Sequence, residues 1–541
     1  MEKLLRPSAL YRDYLSEPGR VGRFYPADFR DAAAIVHRAA SRPYPADRRA
    51  AVASLLRRQA ERFGTHSDSA DSLARFSRGD ALAVVAGQQP GLFGGPLYTI
   101  YKGLTAVAFA RSLAAASGRP VVPIFWIASD DHDFDEVRRA WVNDHGPEPA
   151  ALEYPAEAAP AGVSIARIRL REEVGPLLTQ VTSTLPASEF REDLIDRLRD
   201  AYEPGRGFAE AFARFTGGLL AGCGALVFDP SDPEAKRLSV PVFEREIQLS
   251  GGSARAAHRV GESLARAGYH AQIARGGDEL NLFWHRERRE AIRVTPDGRL
   301  RLHDSGRVLE AAECLRLVRE RPEDASPGVL LRPVMQDYLL PTAAYVGGPA
   351  EVAYWAQVSA VYPLFDLPPT PIVPRAGATI LEPRIQKILD RFGLEWEALA
   401  GDVEQTIGAS LRRLLPEDFP GLFARERDRW TESFGRLREA VVVFDPSLRS
   451  AVETATGRVM HEGEVLEKKL MQVWKRRHEE WVAQIRRAAG QLFPRGGLQE
   501  RTLSILGFES RYGPALRALL ADAARTPGEH RLVAIGGDPR A

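Results

Sequence analysis

Apolar positions recur every three or four residues through the first 80 residues, the spacing of helices with one buried face. In DRRAAVASLLRRQAERFG (47–64), Val52, Leu55, Leu56 and Phe63 fall on one side and arginines on the other, and Gly64 supplies a stop. At residue 81 the period changes. ALAVVAG (81–87) is an unbroken apolar run of the length expected for a strand buried on both faces. A Gly/Pro-rich loop follows, GQQPGLFGGP (87–96), then a helical stretch, LYTIYKGLTAVAFARSLAAASG (97–118), closed by Gly118. A second apolar run, VVPIFWIAS (121–129), leads into the acidic DDHDFDE (130–136). Strand, glycine loop, helix, strand predicts a βαβ unit with a right-handed crossover.

Residues 147–222 read as an insertion. Its start is Ala/Pro-rich, IARIRLR (165–171) alternates as a strand, and DLIDRLRDAY and FAEAFARFTGGLLAG read as helices. ALVFDPSDPEAKRL, from 225, returns to strand and helix as a third core strand. Residues 268–305 alternate apolar and polar around a PDG turn at 296–298, predicting a small antiparallel meander. Residues 328–365 mix strands, loops and a short helix, and PTPIVPR (369–375) reads as the last core strand. From about 384 the pattern is helical. Between 447 and 493, Leu448, Val452, Ala455, Val459, Gly463, Leu466, Leu470, Val473, Arg477, Trp481, Ile485, Ala488 and Leu492 recur at spacings of four and three. This heptad seam, flawed at Gly463 and Arg477 and free of proline, predicts one helix about 70 Å long.

At 541 residues, dividing by about 150 residues per domain gives a prior of three to four domain-sized units. Lys plus Arg number 73 and Asp plus Glu 72, so a nucleic-acid coat or a polybasic membrane binder is disfavoured. Two cysteines, Cys223 and Cys314, make neither a disulfide framework nor a thiolate zinc site. A start charged from residue 2, and no run of 18 uncharged apolar residues, predict a cytoplasmic protein with no membrane span.

Five segments could carry chemistry. The loop after the first strand places Gln88, Gln89, Gly94 and Gly95 at a sheet's carboxyl end, with Tyr98, Thr99 and Lys102 in the first turns of the next helix. Glycines there can bring backbone N–H groups to an anion, or merely serve a tight turn. Neither nucleotide fingerprint, GxGxxG or GxxxxGK[ST], is met. After the second strand, Trp126 leads into Asp131, His132 and Asp133, able to bind an ammonium or act as a base, or simply to cap a helix. No spaced histidine partner exists, so no metal site is predicted. Gln336, Tyr345, Gly347, Gly348, Glu351, Tyr354, Trp355 and Gln357 suit a polar small-molecule pocket, or aromatic helix packing. Arg375 ends the last core strand, and Gly496, Gly497 and Arg501 lie where the long helix stops.

Taken together, AGQQPGLFGGPLYTIYK (86–102), FWIASDDHDFDE (125–136), LLRPVMQDYLLPTAAYVGGPAEVAYWAQ (330–357), VPR (373–375) and LFPRGGLQER (492–501) resemble the BshC family of bacillithiol-synthesis cysteine-adding enzymes, collinearly over nearly the whole chain. The resemblance implies an α/β fold: a Rossmann-like, nucleotidyltransferase-type core with connecting-peptide insertions, and a C-terminal α-helical coiled coil that dimerises. The chain then divides into an N-terminal helical segment (1–80), a core (81–383) with insertions at about 147–222 and 269–327, and a coil (384–541). The implied activity is ligation of L-cysteine to glucosaminyl-malate, the last step of bacillithiol synthesis. The implied partners are those two small molecules and a second copy of the chain, with no nucleic acid and no membrane.

Activating a free carboxylate calls for ATP with Mg. The core departs from adenylating relatives. Phe93-Gly94-Gly95-Pro96 stands at the HIGH position, and no KMSKS lysine loop occurs in RAGATIL (375–381). Whether ATP acts at the core therefore stays open, and the nucleotide is expected beside the coil at Gly496, Gly497 and Arg501. On this reading His132 is the general base, Asp131 and Asp133 hold an ammonium or sugar hydroxyls, and Lys102 or Arg375 meets the malate carboxylates. The other residues named above line the pocket. The missing signature loops also fit a non-catalytic nucleotide-binding scaffold.

Overall fold

A computed structural model describes residues 7–143, 146, 148–273, 276–415, 419 and 421–536. The outermost residues of the expected N- and C-terminal segments lie outside that range. The chain forms two compact units: Met1–Asp144, Pro149–Ile380 and Leu498–Ile535 make the first, and chiefly Leu381–Gly497 the second.

The first unit is built on a parallel sheet of β1 (Leu82–Gln88), β2 (Val121–Ile127), β3 (Leu226–Phe228), β4 (Thr342–Gly347) and β5 (Ile372–Pro374), in the order β5-β4-β1-β2-β3. Nearly every residue of these strands is buried, which is why the sequence shows apolar runs rather than alternation. The chain leaves β1 through α1 (Tyr98–Ser117), whose stop is Gly118 at φ +67 with its N–H on Ala114 O, as the sequence predicts. Because β1 lies between β2 and β4, a crevice opens at their carboxyl ends, where open α/β sheets bind ligands. After β3 comes α2 (Pro233–Leu238), and β4 is flanked by α3 (Leu331–Leu339) and α4 (Pro349–Val358). The predicted meander is present. Strands at 279–285, 289–294, 300–302 and 308–309 form an antiparallel sheet, joined at its other edge by Ala325–Pro327.

Three expectations change. IARIRLR is not a strand. Ile165–Arg167 is a 3-10 turn, and burial falls on Ile165, Ile168 and Leu170 at spacings of three and two. The Ile165 and Ala166 N–H groups donate to Asp131 O (2.7 Å) and Ser129 O (2.9 Å), so the segment braces the acidic loop instead of pairing in a sheet. Next, the segment drawn from 384 on spans both units. Leu498–Ile535 returns to the first unit, and His530–Ala534 pairs with Gly377–Leu381.

Finally, the long helix is broken. In the second unit, α5 (Leu422–Phe444) and α6 (Arg449–Arg477) are followed by α7 (Glu479–Leu492), with His478 between at φ −118. No proline or glycine causes the break. His478 lies between the Trp474 and Trp481 rings, 4.1 and 4.3 Å away, and Trp474 Nε1 donates to Leu411 O (3.1 Å). Gly463, a flaw in the seam, is where the Trp430 ring sits; a Cβ there would collide with it. Among the described residues no helix is long and apolar enough to cross a membrane.

Candidate active site

A cavity of ≈ 880 Å³ opens at the carboxyl ends of β2, β1 and β4, entirely within the first unit. From the β1 loop come Gln88 and Gln89. Gln88 Nε2 donates to Tyr98 OH (3.4 Å), and Gln89 Nε2 donates to Asp131 Oδ2 (2.6 Å) and Glu136 Oε2 (3.1 Å). The amide thus ties two carboxylates of the β2 loop to the tip of β1.

That loop is held from behind. Asp130 is gripped by the buried Lys236 of α2, whose Nζ lies 2.7 Å from both carboxylate oxygens, and burial lowers the Lys236 ammonium pKa. Ser129 Oγ donates to Asp229 Oδ1 (2.5 Å), a carboxyl whose pKa burial raises. His132 projects into the cavity. Its Nδ1 lies 3.1 Å from Arg289 Nη1 and 3.6 Å from Asp131 Oδ1.

On the β4 side, Glu351 sits in the first turn of α4. It accepts from the N–H of Gly348 (2.8 Å) and from Tyr345 OH (2.7 Å), and it forms an ion pair with Lys102. Burial alone would raise the Glu351 carboxyl pKa, but Lys102 and the two hydrogen bonds hold it below the usual range. Burial lowers the Lys102 ammonium pKa despite that partner. Lys102 Nζ also donates to Gly87 O (2.8 Å) and Gln88 Oε1 (3.0 Å), so its three protons are committed. Arg375 is committed as well. Its Nη1 and Nη2 pair with Glu500 at 3.1 and 2.6 Å, both side chains being buried. The cation role expected of Lys102 and Arg375 therefore does not fit their partners.

Two other guanidiniums remain open. Arg332, at the start of α3, donates through Nη1 to Gln336 Oε1 (3.0 Å) and lies 4.9 Å from the Tyr345 ring centroid, while its buried Nη2 has no partner. Arg501 is exposed at the cavity, and among the described residues neither arginine makes an ion pair.

The cavity thus brings together Gln88, Gln89, Tyr98, Lys102, Trp126, Asp131, His132, Tyr345, Gly348, Glu351, Tyr354, Arg375 and Arg501 of the predicted residues. The others lie outside its lining. Gly94 (φ +90) and Gly95 (φ +68) are buried, and added Cβ atoms would meet Phe215 and Thr99 Oγ1. Their N–H groups donate to Gly91 O (3.1 Å) and Leu92 O (3.0 Å), so this loop offers no cradle for an anion. Thr99 is fully buried beneath it. Asp133 caps the short helix Phe134–Val137, accepting from Glu136 N (3.2 Å). Gln336 supports Arg332, Gly347 ends β4 against Ile372, and Trp355 stacks on Tyr345 at 4.6 Å. Gln357 bonds the backbone of Ile273 through both ends of its amide. Gly496 and Gly497 belong to the second unit, at a turn where Arg495 and Gly496 both have positive φ.

Sequence reasoning missed Arg289 and Arg332, and it had Asp130 and Glu136 only as members of the acidic loop. Arg332 left a signal: Arg332 and Gln336 stand four apart on a helix that is otherwise largely apolar and buried. Arg289 left none, being one of three arginines in HRERRE (285–290) of which it alone lines the cavity.

Parallel sheet, switch-point crevice and a polar cavity with two open guanidiniums define a Rossmann-like α/β protein with a candidate small-molecule site. Comparison with known families sharpens this. "Bacillithiol biosynthesis BshC, N-terminal Rossmann-like domain" matches residues 2–376, and the corresponding "C-terminal coiled-coil domain" matches 378–535. The chain belongs to the BshC family. Among its relatives are proteins of Salinibacter ruber (35% identical; 97% of this chain and 96% of the relative), Koribacter versatilis (34%; 97% of each) and Solibacter usitatus (32%; 97% of each). Each of the three bears the name "Putative cysteine ligase BshC".

Proposed function

We propose that this protein is a cysteine ligase that joins the carboxyl of L-cysteine to the amine of glucosaminyl-malate, completing bacillithiol. The observation that carries the reading is the division of charge across the cavity. On the β4 side and at Arg501, guanidiniums without carboxylate partners suit the two malate carboxylates. On the β2 side, Asp131 and Glu136, held by Gln89, suit an ammonium or sugar hydroxyls. A substrate with two carboxylates at one end and an aminosugar at the other matches that order.

The amine must attack as its free base, and its proton leaves to a group of the acidic loop as the C–N bond forms. Mg–ATP, when bound, supplies the activation that a free carboxylate lacks. The phosphate oxygens of a nucleotide do not fit the end of the β1 loop, where the Gly94 and Gly95 N–H groups are spent internally. The same family reading makes the protein a cytoplasmic homodimer joined through its coil. Much of the seam is uncovered in the single chain, with Leu466 58% exposed.

The test is to incubate purified protein with cysteine and glucosaminyl-malate, with and without Mg–ATP, and to look for bacillithiol by mass spectrometry. Product only with ATP supports the ligase, and AMP against ADP separates an adenylate from an acyl phosphate. No product from folded protein under either condition overturns it in favour of the scaffold reading. Light scattering that gives a monomer mass at working concentration overturns the dimer. Arg332→Lys, which keeps the charge but loses the planar donor pair, should raise KM for glucosaminyl-malate about tenfold with a smaller change in kcat.

A further inference from the structure

His132 stands where a general base would be sought, but its ring is already engaged. Arg289 Nη1 lies 3.1 Å from His132 Nδ1. A guanidinium has donors and no acceptor, so in this contact Arg289 donates and Nδ1 presents its lone pair. A neutral imidazole carries one hydrogen, which must then sit on Nε2. Arg289 is itself fixed: Nε donates to Ser326 Oγ (3.0 Å), Nη2 donates to Pro327 O (2.9 Å), and its guanidinium carbon lies 3.7 Å from the Phe283 ring centroid. Those three anchors belong to the antiparallel insertion sheet and the segment after it, so the insertion reaches back to orient a residue of the β2 loop. The other titratable groups at hand leave Nε2 alone. Asp131 Oδ1 lies 3.6 Å from Nδ1 and accepts from the backbone N–H of His132 (2.7 Å). Among the described residues Nε2 has no hydrogen-bond partner.

We propose that Arg289 is a positioning residue that locks His132 in the Nε2–H tautomer, so that the imidazole donates a hydrogen bond to an anionic oxygen of the bound substrate and does not accept the proton of the amine. No bond is made or broken at the ring. The amine proton passes instead to a carboxylate of the same loop, Asp131, whose Oδ2 is held by Gln89. This deepens the ligase reading and rests on it for the identity of the substrate, but the tautomer itself does not depend on turnover.

The first measurement is therefore made on the full chain labelled with 15N-histidine, without substrate, with the His132 signals identified by their loss in His132→Gln. Above the titration of the ring, the expected long-range 1H–15N pattern shows an unprotonated Nδ1 and a protonated Nε2, and Arg289→Met, which removes the donor, shifts it towards a mixture of tautomers. A neutral ring with its hydrogen on Nδ1, or a pattern unchanged in Arg289→Met, overturns the proposal whether or not the protein has ligase activity.

The second measurement compares substitutions in the assay described above. The side-chain amide of Gln places an N–H near the position of Nε2, and that of Asn near Nδ1. His132→Gln should keep kcat/KM about tenfold above His132→Asn, with the wild-type shape of the pH profile. Equal losses, or disappearance of the rising limb in His132→Gln alone, assign the base role to His132 and overturn the proposal. An inactive wild type with the expected tautomer sinks the ligase reading alone.

Discussion

Gly-Gly-Pro occurs twice between a core strand and a helix, at 94–96 after β1 and at 347–349 after β4. In sequence the two look interchangeable. In the structure they do different jobs. Gly94 and Gly95 turn the backbone through positive φ, and Gly95 (φ +68, ψ −164) is in a region open essentially to glycine alone. Both are buried away from the cavity, with five residues (89–93) between Gly94 and Gln88 at the strand tip. At the second motif the strand runs straight into the helix. Gly348 has ordinary extended angles (φ −75, ψ 173), Pro349 is the first helical residue, and Glu351 returns to cap Gly348 while holding Lys102. What distinguishes a structural glycine pair from one bordering a site is the length of loop before it and the residue three positions after the cap.

The comparison can be broken most forcefully at Glu351. Glu351→Ala leaves Lys102 buried without its counter-charge and should cost about 3–5 kcal/mol in urea unfolding. A loss under 1 kcal/mol would mean the pair is not what anchors the second motif. Gly95→Ala comes next, at about 2 kcal/mol, because the backbone region excludes a side chain and Thr99 Oγ1 stands 3.2 Å from the new Cβ.

Acid should then separate the motifs without mutation. The folded-state pKa of Glu351 is lowered below 4.5, so its contribution is present above that pH and is lost as pH falls through the lowered value. Residues 90–97 carry no ionisable side chain. The protection of the Gly348 amide, measured as exchange relative to its intrinsic rate at each pH, should therefore fall on acidification before that of the Gly95 amide does. The smallest effect belongs to Gly348→Ala, where the nearest atom to a new Cβ is 3.5 Å away. Stability should change by less than about 0.5 kcal/mol while the cavity loses room.

Much of this architecture is legible in the chain. The βαβ unit shows in two apolar runs around a helix closed by Gly118, the meander in its PDG turn, and the acidic loop in its position after a buried strand. The direction in which a polar residue points is not legible, because charges are matched by distant residues. Lys236 reaches Asp130 across 106 positions and Glu500 reaches Arg375 across 125. Without knowing those partners, Arg375 and Lys102 look like ligand cations and Arg332 looks like one more arginine. The heptad seam is legible as a helix, but its interruption at His478 is not, because no helix-breaking residue marks it and the aromatic rings around His478 look like ordinary seam residues.

The pairing of Arg375 with Glu500 also bears on how the polypeptide is made. During synthesis at roughly ten residues per second, about ten seconds separate the emergence of the arginine from that of its partner. Over that interval the nascent chain holds an unbalanced charge beside its sheet, and Gly377–Leu381 is an edge with no neighbour. Ribosomes must therefore complete the whole helical arm before the nucleus of the fold can seal. A transcript that stops short of residue 498 would yield not a lone catalytic half but an unfinished product, marked for proteolysis by its own exposed strand.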